Sequence, residues 1–306
     1  MTVHDYSQLN TAISVKEQSF LSRANLVQLL NAVDDEQLAL YLEGTPYSVP
    51  LAEIRQHDVL DQTIMKALAA DYDFAYQQCP DPNLVNVFGL KYVYHNLKLF
   101  LKMRAIGRDL SHLLIPIGPY PLEALKHLSL TLESDLCDPL IVEEVAQTWS
   151  EYKDYENTVA IDMGMDSAYF RHLRVIADQS DLPLLQELVD AKIDFFNAIT
   201  ALRALAQDKP NSFAYQLMSR KGTKRPKEML HLAKDGQLAS WFNAFNALPY
   251  TKIFDSYVES MQAGKIQASQ MEQLQDLYLT HLVNSASLEA LSGEQILRYL
   301  NGREME

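Results

Sequence analysis

Apolar residues recur along almost the whole chain at the three-to-four-residue spacing of a helix face, and the alternation of a half-buried strand is missing almost everywhere. From Ile13, the residues Phe20, Leu21, Val27 and Leu30 fall on one face with Lys16, Glu17 and Gln18 opposite, which predicts one helix. A second is predicted to start at Asp34, whose carboxylate can accept the free N–H groups of a first turn while Gln37 reciprocates, and to stop at Gly44 with Leu38, Tyr41 and Leu42 buried. Residues 58–78 read as a helix ended by Cys79-Pro80-Asp81-Pro82, because two prolines remove donors and clash with a continuing helix. From about Leu84 to Arg104 a long helix points Val87, Leu90, Val93, Leu97, Phe100 and Leu101 inward and stops at Gly107. The stretch 113–119 is too rich in proline for a helix interior, and Pro121 opens a short helix ending near Leu128. Asp138-Pro139 has the order of a cap followed by a first-turn proline and launches a helix to about Tyr155. Further helices are expected near 165–178, 183–207, 226–233, 237–247, 251–262, 269–283 and 293–301, so the fold class is all-α.

Two stretches of this pattern can be laid over each other. The first holds Leu60-Asp61, Asn96, Lys102, Gly118, Leu125, His127 and Leu128; the second holds Met165-Asp166, Asn197, Arg203, Gly222, Met229, His231 and Leu232. Six positions separate Asn from Lys or Arg in both, and ten separate Gly from the final Leu. Asn96 and Asn197 read as buried amides bridging backbone groups of a neighbouring helix, since buried polar groups need partners. Lys102 and Arg203, near helix ends, suit the negative end of the helix dipole, and direct contact with a partner is the other reading of these positions. The N-terminal helices and the last sixty residues look like more degenerate copies of the same unit.

Composition narrows the function. The 306 residues are 48% hydrophobic and 22% charged, enough to bury a sizeable core. A net charge of -14 disfavours phosphate backbones and anionic lipid as partners. The one dense basic run, Arg220, Lys221, Lys224 and Arg225, reads either as a solvated loop or as a contact for an acidic partner. Cys79 and Cys137 stand apart without metal-ligand spacing, and reduced thiols in the cytoplasm fit best. No cationic, apolar leader and no uninterrupted apolar run of membrane-spanning length occurs, so membrane association is expected only through a partner.

No catalytic constellation stands out. His57-Asp58 is similar to the central dipeptide of metal-dependent phosphohydrolases, but the other ligands are missing and Asp58 reads as a helix cap. Asp34-Asp35-Glu36 and Asp71-Tyr72-Asp73 do not place acids four apart on one face, as magnesium bridging to diphosphate requires; capping and solvation account for them. His127 and His231 are too few for a metal site. Phosphate-loop, dinucleotide, zincin and serine-hydrolase motifs are absent. No catalytic residue, metal or cofactor is expected.

The residues that carry a family likeness are spread over the chain. They are Lys16-Glu17, Phe20-Leu21-Ser22, Leu26, Leu29-Leu30 and Leu42-Glu43-Gly44-Thr45-Pro46-Tyr47; Tyr94-His95-Asn96-Leu97-Lys98 through Lys102 and Gly107; and Ile161-Asp162-Met163, Met165-Asp166, Tyr169-Phe170 and Ile193 to Asn197 through Leu202-Arg203-Ala204. In order and spacing this resembles the C-subunit family of V-type and archaeal-type rotary ATPases, which includes the eukaryotic d-subunit, from about residue 6 to 304. Two departures stand out: Val93, where the family's first long helix often has an acid matching Asp194, and the stop at Arg303-Glu304-Met305-Glu306, where relatives usually continue for another helix. The resemblance implies a non-catalytic rotor part shaped as a funnel of three similar helical subdomains about a pseudo-threefold axis. They comprise 1–57 with about 248–306, then 58–160, then 161–247. It implies as partners the D and F components of the central shaft and the membrane proteolipid ring, with the protein cytoplasmic and peripheral at the membrane through the complex. A helical-repeat scaffold for an unrelated protein is the alternative, since fold alone does not fix function.

Overall fold

The computed structural model describes residues 5–246, 248–249, 251–285 and 291–306, and among these every regular element is helical, in agreement with the all-α reading. The helices are α1 (Ser7–Lys16), α2 (Arg23–Leu30), α3 (Asp35–Leu42), α4 (Leu51–Ile54), α5 (His57–Gln78), α6 (Pro82–Ile106), α7 (Leu122–Thr131) and α8 (Pro139–Tyr155). They continue as α9 (Thr158–Gln179), α10 (Pro183–Ala206), α11 (Asn211–Leu217), α12 (Pro226–Lys234), α13 (Leu238–Phe245), α14 (Asp255–Gln262), α15 (Ala268–Ser285) and α16 (Glu294–Met305).

Where local chemistry is decisive, the elements fall as expected. Asp138 accepts from the Leu140 N–H at 2.8 Å with Pro139 at the first position of α8. Gly107 ends α6 at φ 65, a conformation that costs a residue with a Cβ. The single helix expected through Ile13–Leu30 is instead two. Ser22 takes extended backbone and caps α2, its hydroxyl accepting from the Asn25 N–H at 3.2 Å while Asn25 Oδ1 accepts from the Ser22 N–H at 3.0 Å. That reciprocal cap replaces helical hydrogen bonds at the break and frees Phe20 to stack on Tyr299 at 5.7 Å, while Val27 and Leu30 are exposed. Asp34 caps α3 by accepting from the Gln37 N–H at 2.9 Å, whereas Gln37 Oε1 takes the Val33 N–H at 3.4 Å. α5 begins at His57, so Asp58 lies in its first turn and is not the cap; the side chains of His57 and Asp58 lie outside the described residues.

The chain divides into two compact units. One takes the chain through Tyr92, Ile115–Pro119 and the stretch ending at Glu306. In it α16 packs on α1 and α5. Asp71, expected as a solvated acid, is instead buried in the middle of α5, held by Arg303 Nε and Lys16 Nζ, each at 2.9 Å, and by the Tyr299 hydroxyl at 2.5 Å. A carboxylate can be buried there because two cations and a hydroxyl replace its hydration. Glu304 accepts from Lys91 at 2.7 Å and from the hydroxyls of Tyr72 and Tyr92, and Glu306 accepts from Tyr47 at 2.9 Å and from Arg303 at 2.6 Å. Arg298 grips Glu17 through Nε and Nη2, at 3.0 and 2.7 Å.

The other unit comprises Val93–Leu114 and the run from Tyr120 that includes α15. Its centre is α10, which buries most of its residues and keeps Gln186, Glu187 and Arg203 at the surface. Ala201 and Ala204 leave room for Ala214, Met218 and Leu230, drawing α11 and α12 close. Farther along, Phe195 meets Trp241, Phe242, Phe245 and Tyr278 at ring-centroid separations of 5.4 to 6.3 Å, which fastens α13 and α15.

The two aligned stretches share one succession of elements. α5 and α9 have 22 residues each, α6 and α10 have 25 and 24, and α7 and α12 have 10 and 9, so each copy is a long helix pair followed by a short helix. Both long second helices start on a proline, Pro82 and Pro183, and Asn96 and Asn197 hold the same register from it. The second copy differs by the inserted α11, which the apolar pattern alone had not revealed.

Candidate functional site

Two fully buried polar residues of α10 organise the connection between α11 and α12. Asn197, fully buried, accepts from the Ser219 N–H at 2.8 Å and donates to the Ser219 carbonyl at 2.9 Å, so one amide closes on both backbone groups of one residue. One turn earlier Asp194, also fully buried, accepts from the Thr223 N–H at 2.8 Å, from the Thr223 hydroxyl and from Trp241 Nε1 at 3.4 Å. Burial raises the Asp194 carboxyl above its ordinary value, and the donors from Thr223, Trp241 and the Lys224 backbone oppose that shift. Gly222 lies against the pair, and a Cβ built there would collide with Asp194 Oδ1. The connection is irregular in backbone yet held at both ends.

That connection carries the basic run. Arg220, Lys221 and Arg225 are exposed and Lys224 is half-buried. Arg225 pairs with Glu228, Nε to Oε1 being 3.0 Å, while Arg220, Lys221 and Lys224 make no direct ion pair among the described residues. Ser219, Arg220 and Lys221 form one wall of a cleft of about 560 Å³, completed by residues of α8, α9 and α11 that include Gln147, Met163, Arg171 and Tyr215. Arg171 is already neutralised by a two-pronged pair with Glu144. On the other side, Thr223 and Lys224 border a smaller cleft of about 340 Å³ with Glu187, Trp241 and Tyr278.

The remaining sequence-derived positions fall as follows. Asn96 is fully buried in α6. Lys102 reaches across to Asp162 of α9 at 2.6 Å, and one turn earlier Lys98 meets Asp166 at 2.5 Å; Arg203 pairs with Glu272 of α15. Lys102 and Arg203 thus brace neighbouring helices in addition to lying near their own helix ends. His127 and His231 are exposed, and no group of three or more His, Cys, Asp or Glu among the described residues could hold a metal ion. Asp194 and Thr223 escaped the reading of the chain as functional positions; an acid set between the apolar Ile193 and Phe195 was the available signal. At the position matching Asp194, α6 has the buried Val93, and the first copy instead has Pro116 and Pro119 in its connection, whose rings restrict the backbone.

This geometry defines an internally duplicated helical scaffold with a buttressed basic loop. The chain belongs to the ATP synthase (C/AC39) subunit family, whose model matches residues 9–306, and it is thereby a C-type subunit of the V/A-type ATPases. It is 26% identical over 309 residues to the C-subunit of the V-type sodium ATPase of Enterococcus hirae, covering 99% of this chain and 90% of that one. It is 24% identical over 225 residues to the C-subunit of the A-type ATP synthase of Methanocaldococcus jannaschii, covering 66% of this chain and 54% of the archaeal one. Among the described residues no helix is long and apolar enough to cross a membrane.

Proposed function

We propose that this chain is the non-catalytic central-stalk component that couples the D/F shaft of a V/A-type ATPase to its membrane proteolipid ring. The observation that supports the reading, beside family membership, is the repeated succession of two long helices, with Lys98 and Lys102 tying α6 to α9, Arg203 tying α10 to α15, and Asn197 clamping the α11–α12 connection. Close-packed helices resist deformation, which suits a part that transmits torque and performs no chemistry. Three related subdomains, 1–57 with about 248–306, then 58–160, then 161–247, would form the funnel, with the degenerate copy built from the two ends of the chain. The chain would sit in the cytoplasm, peripheral at the membrane through the complex.

Affinity purification of the full chain from its native membranes, followed by mass spectrometry, tests this. Recovery of shaft and ring proteins supports it, and membranes stripped of the chain should hydrolyse ATP without moving ions. Ion pumping at the original rate after its complete removal excludes the coupling role.

A further inference from the structure

The basic loop is an anomaly in charge and in rigidity together. In a chain of net charge -14, five cations fall within residues 220–227, namely Arg220, Lys221, Lys224, Arg225 and Lys227, and only Arg225 is neutralised within the described residues. Repulsion among neighbouring cations would spread a free loop. Here Asn197 and Asp194 fix Ser219 and Thr223 from beneath, so Arg220 and Lys221 stay at the wall of the larger cleft while Lys224 borders the smaller one. Such fixation exposes unpaired charge at a constant place, which is the preorganisation that favours docking over solvation.

We propose that the cleft between α8, α9 and the α11–α12 connection docks an acidic helical segment of a partner protein, its carboxylates meeting Arg220 and Lys221. The cleft walls pair those charges with Met163, Met218 and Tyr215, an adaptable apolar surface, and with the polar Gln147 and Gln216. Glu151, which accepts from Gln147 at 3.0 Å, also lines the cleft, so free positive charge is confined to the Arg220–Lys221 rim, and a groove between helices with one cationic rim matches an amphipathic helix laid along it. An extended polyanion such as a nucleic acid or a lipid surface is repelled by the rest of the chain before it reaches the loop. Arg171, saturated by Glu144, contributes shape and no free charge, which leaves Arg220 and Lys221 to decide affinity. This docking goes beyond the rotor reading and does not require it, because it concerns only the chemistry that the cleft accepts.

The test uses the full chain and a labelled synthetic peptide of roughly 15 residues, the length at which an isolated helix becomes viable, with Glu four apart on one face and Leu on the other. Fluorescence anisotropy should show binding that weakens with added salt and falls about tenfold in R220E/K221E, since rim charges govern encounter and salt dependence. Both residues are exposed, so the variant should keep the parent's urea midpoint. A photocrosslinker at Gln147 should capture the peptide. Equal affinity in the charge-reversed variant, absence of a crosslink, or tighter binding to phosphatidylserine vesicles or tripolyphosphate than to the peptide would each overturn the proposal. Loss of peptide binding while shaft and ring proteins still co-purify with the variant separates this docking from the rotor role.

Discussion

Replacing Asn197 with Ala tests how much the polar clamp on α10 matters. The side chain satisfies two backbone groups of the buried Ser219, at 2.8 and 2.9 Å. Truncation leaves both without a partner where water has little access, and each orphaned group costs about 1–3 kcal/mol, so the loss should be about 2–6 kcal/mol. Both tryptophans of the chain, Trp149 and Trp241, lie in the unit that contains α10, so tryptophan fluorescence during urea unfolding reports that unit alone. With a urea slope of about 2–3 kcal/mol per molar, the midpoint should fall by about 1–2 M. Ser219→Ala is the matched control: it removes the hydroxyl that accepts from the Lys221 N–H at 3.2 Å and keeps both backbone groups in the clamp, so it should shift the midpoint far less. Asn197→Ala behaving like Ser219→Ala would refute the reasoning, because it would mean that the amide adds nothing beyond what local water can replace.

Three further outcomes follow from the same geometry. Gly222→Ala drives a methyl into Asp194 and should lower stability by about 1–3 kcal/mol, read as a drop in melting temperature. His172, buried and 3.1 Å from the Tyr94 hydroxyl, has its pKa lowered by burial, so the unfolded chain takes up its proton first as pH falls. Stability should therefore decline as pH drops below about 6.5 toward the folded value, and that component should vanish from unfolding curves of His172→Gln. Arg303→Ala leaves Asp71 with Lys16 and Tyr299 as its remaining partners and should cost about 1.5–3 kcal/mol, visible as faster hydrogen exchange in α5 and α16.

The parts of the fold that were legible in the sequence depend on neighbours along the chain. Asp138-Pro139 and Gly107 act within one turn, and the inward face of α6 is a plain periodicity, so their positions could be read directly. The break at Phe20–Ser22 escaped because apolar spacing continues across it, while the cap that causes it involves only Ser22 and Asn25. Asp71 read as solvated because its partners Arg303 and Tyr299 lie near the other end of the chain. Lys102 and Arg203 were singled out by their repetition, but nothing along the chain ties them to the acids they meet, Asp162 and Glu272. The basic run was visible as charge; its fixed shape was not, since that depends on Asp194 and Asn197 being turned inward from another helix.

The pairing of α16 with α1 and α5 has a consequence for how the molecule is made. Translation makes α8 through α14 well before the last turn of α16, so packing in the unit around α10 can begin while the other still lacks Arg298, Arg303 and Glu304. Until then Glu17, Asp71 and Lys91 wait without those counter-charges, so α1 and α5, though made before α8, reach their final surroundings later.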